Sequence, residues 1–516
     1  MKSKTINTSK QMTINMLAAV VSFSINVGIN FFLTPYLVKE LGTEAYGFIG
    51  LANNFAQYAS IVTAALNSMA GRFISIEYHK GNIDKASRYF SSVLVANSVI
   101  AIVMLLAGAT VTLTLECFLK ISPDLVNSVK ITFALTFLTF VVSVITAIFT
   151  TAAFVRNKLY INSIRDIVSN SLKLLLVIGL FSFLPAQLYF LALATLASGV
   201  FLLITNITVK SKILPEVKIK PSFFSFKLVK NILSAGVWCS VGYLCNALNT
   251  GLDLLICNIT ISATMMGLLS VAKTIPHCID NLITTISNIF TPRFTILYAK
   301  GEKEKLISEN KFSSKIISFI MTVPLAGFIA FGYDFYTLWQ PTKTPEEIQI
   351  IQTLSVLACL SFLCTCHSKT LYSMFTVCNK LKPSVLISFG SGVLNVILVL
   401  ILVKFTDLGV YAIAGVSSVL ISIKSLTFVP IYTAHILQVK PTTYYPSILR
   451  GWICFFVILF FFMGVNHFVT INSWLSLIAI CMASALVGYV ISLPLIFSKK
   501  ERGKLKTTVL KKLKKG

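Results

Sequence analysis

The amino-acid sequence predicts an all-α integral membrane protein with about fourteen transmembrane helices, built as two repeats of six and two further helices. Three observations carry this. The 516 residues are 56% hydrophobic and only 12% charged, about half the charge of an ordinary soluble chain. The apolar residues fall in continuous runs of about 20, long enough to cross a bilayer as a helix, and do not alternate as barrel strands do. One polar pattern also occurs twice, with a constant shift of 220 residues apart from one slip near Arg72 and Arg293.

The repeated stretch is Tyr46–Gly81 and then Met266–Gly301. Each copy opens on Tyr or Met followed by Gly, and closes on Arg-Phe and then Tyr-x-Lys-Gly. In the late copy Lys273, His277, Asp280, Thr284 and Ser287 step by 4, 3, 4 and 3, which places them on one helix face. The same positions in the early copy are Asn53, Gln57, Ser60, Ala64 and Asn67. A polar stripe on a lipid-crossing helix faces protein or a water-filled cavity. The plainer alternative is a seam that only holds helices together.

In chain order the spans lie near 12–33, 46–70, 89–110, 131–154, 160–182, 186–207, 231–256, 264–292, 312–332, 348–368, 384–403, 409–432, 451–468 and 474–497. The first run is too long for a cleaved signal and reads as a retained span. Thr34-Pro35 is expected to end the first span and Pro292 the eighth, with a kink at Pro276. With the N-terminus cytoplasmic, 36 of the 44 Lys and Arg fall on the cytoplasmic side and five in outer loops. That is the positive-inside pattern, and it places both termini in the cytoplasm. The same placement accounts for the net charge of +26 without nucleic acid as a partner.

The basic connection Thr208–Lys230 reads as an interfacial segment on the inner leaflet. It divides the chain into 1–207, a first six-helix lobe; 208–230, the linker; 231–437, a second lobe; and 438–516, two further helices with a basic tail. Leu505, Val509, Leu510 and Leu513 share one face of that tail, which suits anionic lipid. Eleven cysteines imply no disulfide framework. Cys364 and Cys366 point to opposite sides of a helix, so Cys364-Thr365-Cys366-His367 is not a metal site.

With Arg165, Asp166 and Lys315 counted as cytoplasmic because they lie at inner span ends, five charged residues fall within spans: Lys173, Asp253, Lys273, Asp280 and Lys424. Each costs about 2.5–3.5 kcal/mol at a helix centre unless it faces a partner or water. Asn246, Asn249 and Asp253 form a stripe on the seventh span. Asn162, Asp166, Asn170 and Lys173 form one on the fifth, and Ser22, Asn26 and Asn30 one on the first. Ser384, Ser388, Ser391 and Asn395 line the eleventh. A cavity lined by such groups suits a hydroxyl-rich cargo, which both donates and accepts. Its lysines suit an anionic group such as phosphate. Asp253 and Lys273 could instead pair with each other. Lys273 and Asp280 are about 10.5 Å apart along their helix, too far to pair directly. The candidate substrate-binding residues are therefore Lys273, Asn53, Gln57, Asn26, Asn30, Asn249 and Lys173, with Arg72 and Arg293 from the closing motifs. The candidate ion-coupling residues are Asp280, His277 and Asp253.

Phe31–Phe73, beginning FFLTPYLVKELGTEAYGF, resembles the Wzx-type polysaccharide flippases of the multidrug/oligosaccharidyl-lipid/polysaccharide exporter superfamily. IFTPRF, Ile289–Phe294, is similar to the matching point of their second lobe. The resemblance implies two pseudo-symmetric six-helix lobes, two accessory C-terminal helices and alternating access. The implied cargo is an undecaprenyl-diphosphate-linked oligosaccharide of O-antigen, capsule or another surface glycan, moved across a bacterial cytoplasmic membrane. Implied partners are that lipid-linked oligosaccharide, bilayer lipids and a polysaccharide polymerase machinery. No cofactor and no enzymatic activity are implied. The alternatives are a peptidoglycan lipid-precursor flippase and an ion-coupled multidrug exporter. A glycan polymerase or ligase would need a large outer loop, and all the outer loops here are short.

Overall fold

A computed structural model describes residues 8–499 and 501–503, and the described residues contain helices and no strand. The amphipathic tail pattern at Leu505, Val509, Leu510 and Leu513 lies outside the described residues. Two compact units are present, Met1–Ser270 and Val271–Gly516. The first holds α1 (Thr8–Leu41), α2 (Thr43–His79), α3 (Ile83–Leu113), α4 (Leu115–Phe118), α5 (Val126–Val155), α6 (Tyr160–Phe183), α7 (Tyr189–Ile213), α8 (Phe226–Asn246), α9 (Asp253–Thr260) and most of α10 (Ala263–Ala272). The second holds α11 (Thr274–Ala299), α12 (Lys303–Trp339), α13 (Pro345–Val377), α14 (Leu381–Phe405), α15 (Val410–Leu426), α16 (Phe428–Ile436), α17 (Tyr445–Phe468) and α18 (Trp474–Ile496).

Thirteen stretches among the described residues are long and apolar enough to cross a membrane. The fourteenth expected span is α10 with α11, which carries the polar stripe. Two expected ends are corrected. Pro35 and Pro292 lie inside α1 and α11 rather than ending them. A proline inside a membrane helix is tolerated where neighbours satisfy the freed carbonyl. Past the helix ends the chain reverses at glycines in the left-handed region, Gly42 (φ 83°) after α1 and Gly301 (φ 71°) after α11.

Apolar side chains gain little by leaving lipid, so helices here associate through small residues and polar contacts. In the first unit α8 lies along α2. A Cβ on Gly236 would fall inside van der Waals contact of the Ala65 backbone. One turn on, Ser240 Oγ donates to Ile61 O at 2.6 Å and accepts from Ala65 N at 3.0 Å. The hydroxyl thus bonds both backbone groups of one turn of α2, which stays helical throughout.

The connection after α7 is a strap along α3. Leu214 and Val217 are fully buried. Ser87, Ser91 and Ser92 accept from the backbone N–H groups of Lys218, Lys220 and Ser225 at 3.0–3.2 Å. Arg156 clamps its start, donating to Ile213 O and to Glu216 at 2.8 and 2.7 Å.

In the second unit α17 and α18 pack on α12. Tyr489 donates to Ile320 O at 3.0 Å, and the Phe462 and Phe331 rings are in contact. The bare backbone of Gly451 leaves room for the buried His367 ring, which bonds Ser318 Oγ at 3.3 Å.

Candidate functional site

Three polar assemblies lie among these helices. The first is a groove of about 480 Å³ in the first unit. Ser22 and Asn26 of α1 line it, with Ser163, Asp166, Ser169 and Asn170 of α6. The polar stripes expected on the first and fifth spans therefore meet. Asn30 lies one turn from Asn26 and spends its amide on Asn26, at 2.8 Å from Oδ1 and 2.9 Å from the carbonyl. Behind the groove Arg165 is buried. It donates to Asn206 Oδ1 at 2.7 Å, to Asn162 and to Ile161 O. Lys173 continues the α6 stripe, one turn beyond Asn170, and is not among the lining residues. Six uncharged or acidic polar side chains along one groove can exchange hydrogen bonds with hydroxyls in either direction.

The second assembly lies where α2 meets the end of α8. There the helix runs as a π-turn over Ala247–Gly251. Such a turn inserts a residue and releases a carbonyl from the regular ladder. Gly251 O accepts from Asn54 at 2.9 Å and from Tyr58 at 2.6 Å. Asn53 and Gln57, expected to be functional, sit next to this pair in sequence but are exposed on another face of α2. Asn249 is buried and donates to Cys245 O in its own turn at 2.7 Å, and Asp253 is buried. Lower on α2, Asn67 accepts from Asn97 of α3 at 2.9 Å, so that end of the stripe is a packing contact.

The third assembly is in the second unit. The helix is interrupted at Lys273, between α10 and α11. Pro276 has no N–H to give Ala272 O, and Ser355 Oγ of α13 lies 2.8 Å from that carbonyl and 2.8 Å from Ile351 O in its own turn, so its one proton is shared between them. Tyr336 of α12 stands 2.7 Å from Ser355 Oγ; the serine proton faces a carbonyl, so the phenol donates. Further along α11, Asp280 pairs with Lys369 of α13 at 3.4 Å, both half-buried. His277 is exposed between Lys273 and Asp280. Arg293 is held by Glu309 of α12 through two bonds of 2.9 Å, and Arg72 is exposed. Lys424 donates to Ser388 at 3.3 Å, which makes the buried α14 stripe a helix-packing contact.

Sequence reasoning missed Lys369, because the tenth span was ended at 368, whereas α13 runs to Val377. It also missed Asn54 and Tyr58. Their four-residue spacing was visible, but the carbonyl they bind exists only because of the π-turn.

Comparison with known proteins places these features in context. The family model described as "Polysaccharide biosynthesis protein" matches residues 12–298. The chain is 27% identical over 494 residues to the "Uncharacterized membrane protein EpsK" of Bacillus subtilis (strain 168), covering 95% of this chain and 97% of that protein. The fold is similar to a structure titled "Lipid II flippase MurJ, inward closed conformation", with a TM-score of 0.68, 16% identity, and 93% and 98% of the two chains covered. It is also similar to an inward-facing multidrug resistance MATE family transporter of the MOP superfamily, with a TM-score of 0.66, 15% identity, and 84% and 99% covered.

Proposed function

The chain belongs to the polysaccharide biosynthesis protein family, and from that premise we propose that it is a flippase for lipid-linked saccharides. The observation that carries the proposal is the groove between α1 and α6. Its lining sets six hydroxyl, amide and carboxylate side chains beside Ala19, Phe23 and Leu202, within a membrane-spanning unit. A saccharide is the cargo whose hydroxyls match such a lining. The fold shared with a lipid II flippase and with exporters supports transport over catalysis.

The finer reading is an undecaprenyl-diphosphate-linked oligosaccharide, moved by alternating access across a bacterial cytoplasmic membrane for surface polysaccharide. Both termini lie in the cytoplasm, which the distribution of Lys and Arg supports. In this reading Lys273, at the interruption between α10 and α11, anchors the anionic part of the cargo. Asp280, bonded to Lys369 and close to His277, takes part in ion coupling.

The test compares a deletion strain with strains carrying Lys273→Ala, Lys273→Arg or Asp280→Asn, measuring membrane abundance, surface glycan and lipid-linked intermediates. Deletion is expected to leave lipid-linked units on the inner leaflet and to remove surface glycan. Lys273→Ala at normal abundance should lose glycan, and Arg should restore part of it. Full surface glycan in the deletion strain, with no second flippase present, overturns the function. Full glycan in Lys273→Ala removes Lys273 from the site. Failed cell-wall synthesis with surface glycan intact would point to a peptidoglycan precursor instead.

A further inference from the structure

The two copies of the repeated motif meet at one point. Gly47 of α2 and Gly267 of α10 are 220 residues apart, the shift that relates the copies. They touch through bare backbone: a Cβ on Gly47 would come within 2.8 Å of Gly267 Cα and 2.9 Å of its N. A Cβ on Gly267 would fall inside contact distance of Thr43 O. The next such pair, Gly50 and Ser270, repeats the pattern, and a Cβ on Gly50 would lie 2.5 Å from Ser270 Oγ. Equivalent residues contact each other in this way only when they lie beside a local two-fold axis.

Polar bonds hold the same end together. Asn258 of α9 is fully buried. Its amide accepts from Lys120 N at 2.9 Å and donates to Lys120 O at 3.0 Å. Lys120 Nζ then donates to Ile261 O at 3.0 Å, at the C-terminal end of α9. Glu44, at the start of α2, accepts from Ser122 N and Oγ at 3.0 and 2.8 Å. The connection after α4 is thereby bonded both to the first-repeat helix α2 and to the second-repeat helix α9. Below the contact, Asn53 lies six residues along α2, about 9 Å. Asn53 and Gln57 are exposed, so the closure stands over the polar face of α2.

We propose that this assembly is the outer closure of the transport path. Gly47 and Gly267 are its contact point, and the reciprocal Lys120–Asn258 pairing is its latch. Cargo leaves only when the pair parts. The name "outer" and the cargo rest on the flippase reading; the closure itself does not.

Two variants test it. Lys120→Cys with Asn258→Cys, joined by a short bifunctional methanethiosulfonate, should lose surface glycan and regain it on reduction. The singly substituted and unsubstituted proteins, treated in parallel, control for the native cysteines. Gly267→Val cannot seat against Thr43, so the closed state should lose population. Labelling of an added Asn53→Cys by an impermeant maleimide should rise on the order of tenfold. Full glycan output from the cross-linked protein overturns the proposal, as does unchanged labelling in Gly267→Val at normal abundance. If Gly267→Val fails to accumulate, the cross-link result decides. A labelling change in a protein whose deletion leaves surface glycan intact would sink the flippase reading and leave the closure standing.

Discussion

Ser355→Ala is the sharpest test of how the interruption at Lys273 is held. Ser355 and Tyr336 are both fully buried. Removing the hydroxyl strands two groups together. Ala272 O loses the hydroxyl it shares with Ile351 O and cannot recover a donor from Pro276, and the Tyr336 phenol loses its acceptor. A buried group left unpaired costs about 1–3 kcal/mol. Interhelical bonds in membranes average about 0.6 kcal/mol and reach about 1.7, because the separated helices also find partners. Two stranded groups then give about 2 kcal/mol for Ser355→Ala. Tyr336→Phe leaves the serine donating to Ala272 O and should cost about 0.5–1 kcal/mol. The assay is thermal unfolding of purified protein in one fixed detergent, where about 2 kcal/mol lowers the Tm of a chain this long by about 2 °C. Pro276→Ala supplies the missing N–H. The double variant Pro276→Ala/Ser355→Ala should therefore be more stable than the sum of the single effects by about 1 kcal/mol. Strict additivity, or a Ser355→Ala effect no larger than that of Tyr336→Phe, would refute the account.

Two further outcomes follow from packing and charge. Gly451→Val places a branched side chain where the His367 ring and Ser318 lie; it should cost more than the typical 1–3 kcal/mol of overpacking, read as a Tm drop, with Phe456→Ala on the exposed face of α17 as the mild control. Glu216 sits in the strap outside the membrane spans. Burial pushes its carboxyl up, but a backbone hydrogen bond and Arg156 pull it further down, so it ends below the usual range. A depressed folded-state pKa gives stability that is present above the unfolded value and lost as pH falls through the folded one. Limited proteolysis at 214–226 should thus accelerate below about pH 4.5, and Glu216→Gln should abolish that dependence.

The helices were legible because each apolar run exceeds the thickness of a bilayer. The two-fold repeat was legible because a constant shift keeps Gly47 over Gly267 and Gly50 over Ser270. Helix ends were less so: Pro35 and Pro292 looked like stops, yet in lipid the chain gains more by staying helical than by exposing free backbone. The α1 and α6 stripes converge on one groove as their residue types suggested. The partner of Asp280 was not legible, because Lys369 lies 89 residues away and only packing of α11 on α13 brings it near. Nor could Asn54 and Tyr58 be read as bound to Gly251 O, since a π-turn leaves no pattern in the residue types.

The Ser240 hydroxyl in α2 has a mechanical consequence. An intact helix closes its own ladder, and its straightness is a local property. Between Ile61 and Ala65 the turn of α2 is also bonded to a neighbour, so its position is tied to that of α8 through one hydroxyl. Two long helices that share a backbone-to-hydroxyl bridge and a bare glycine contact cannot slide past each other without breaking both, so α2 and α8 move as one body.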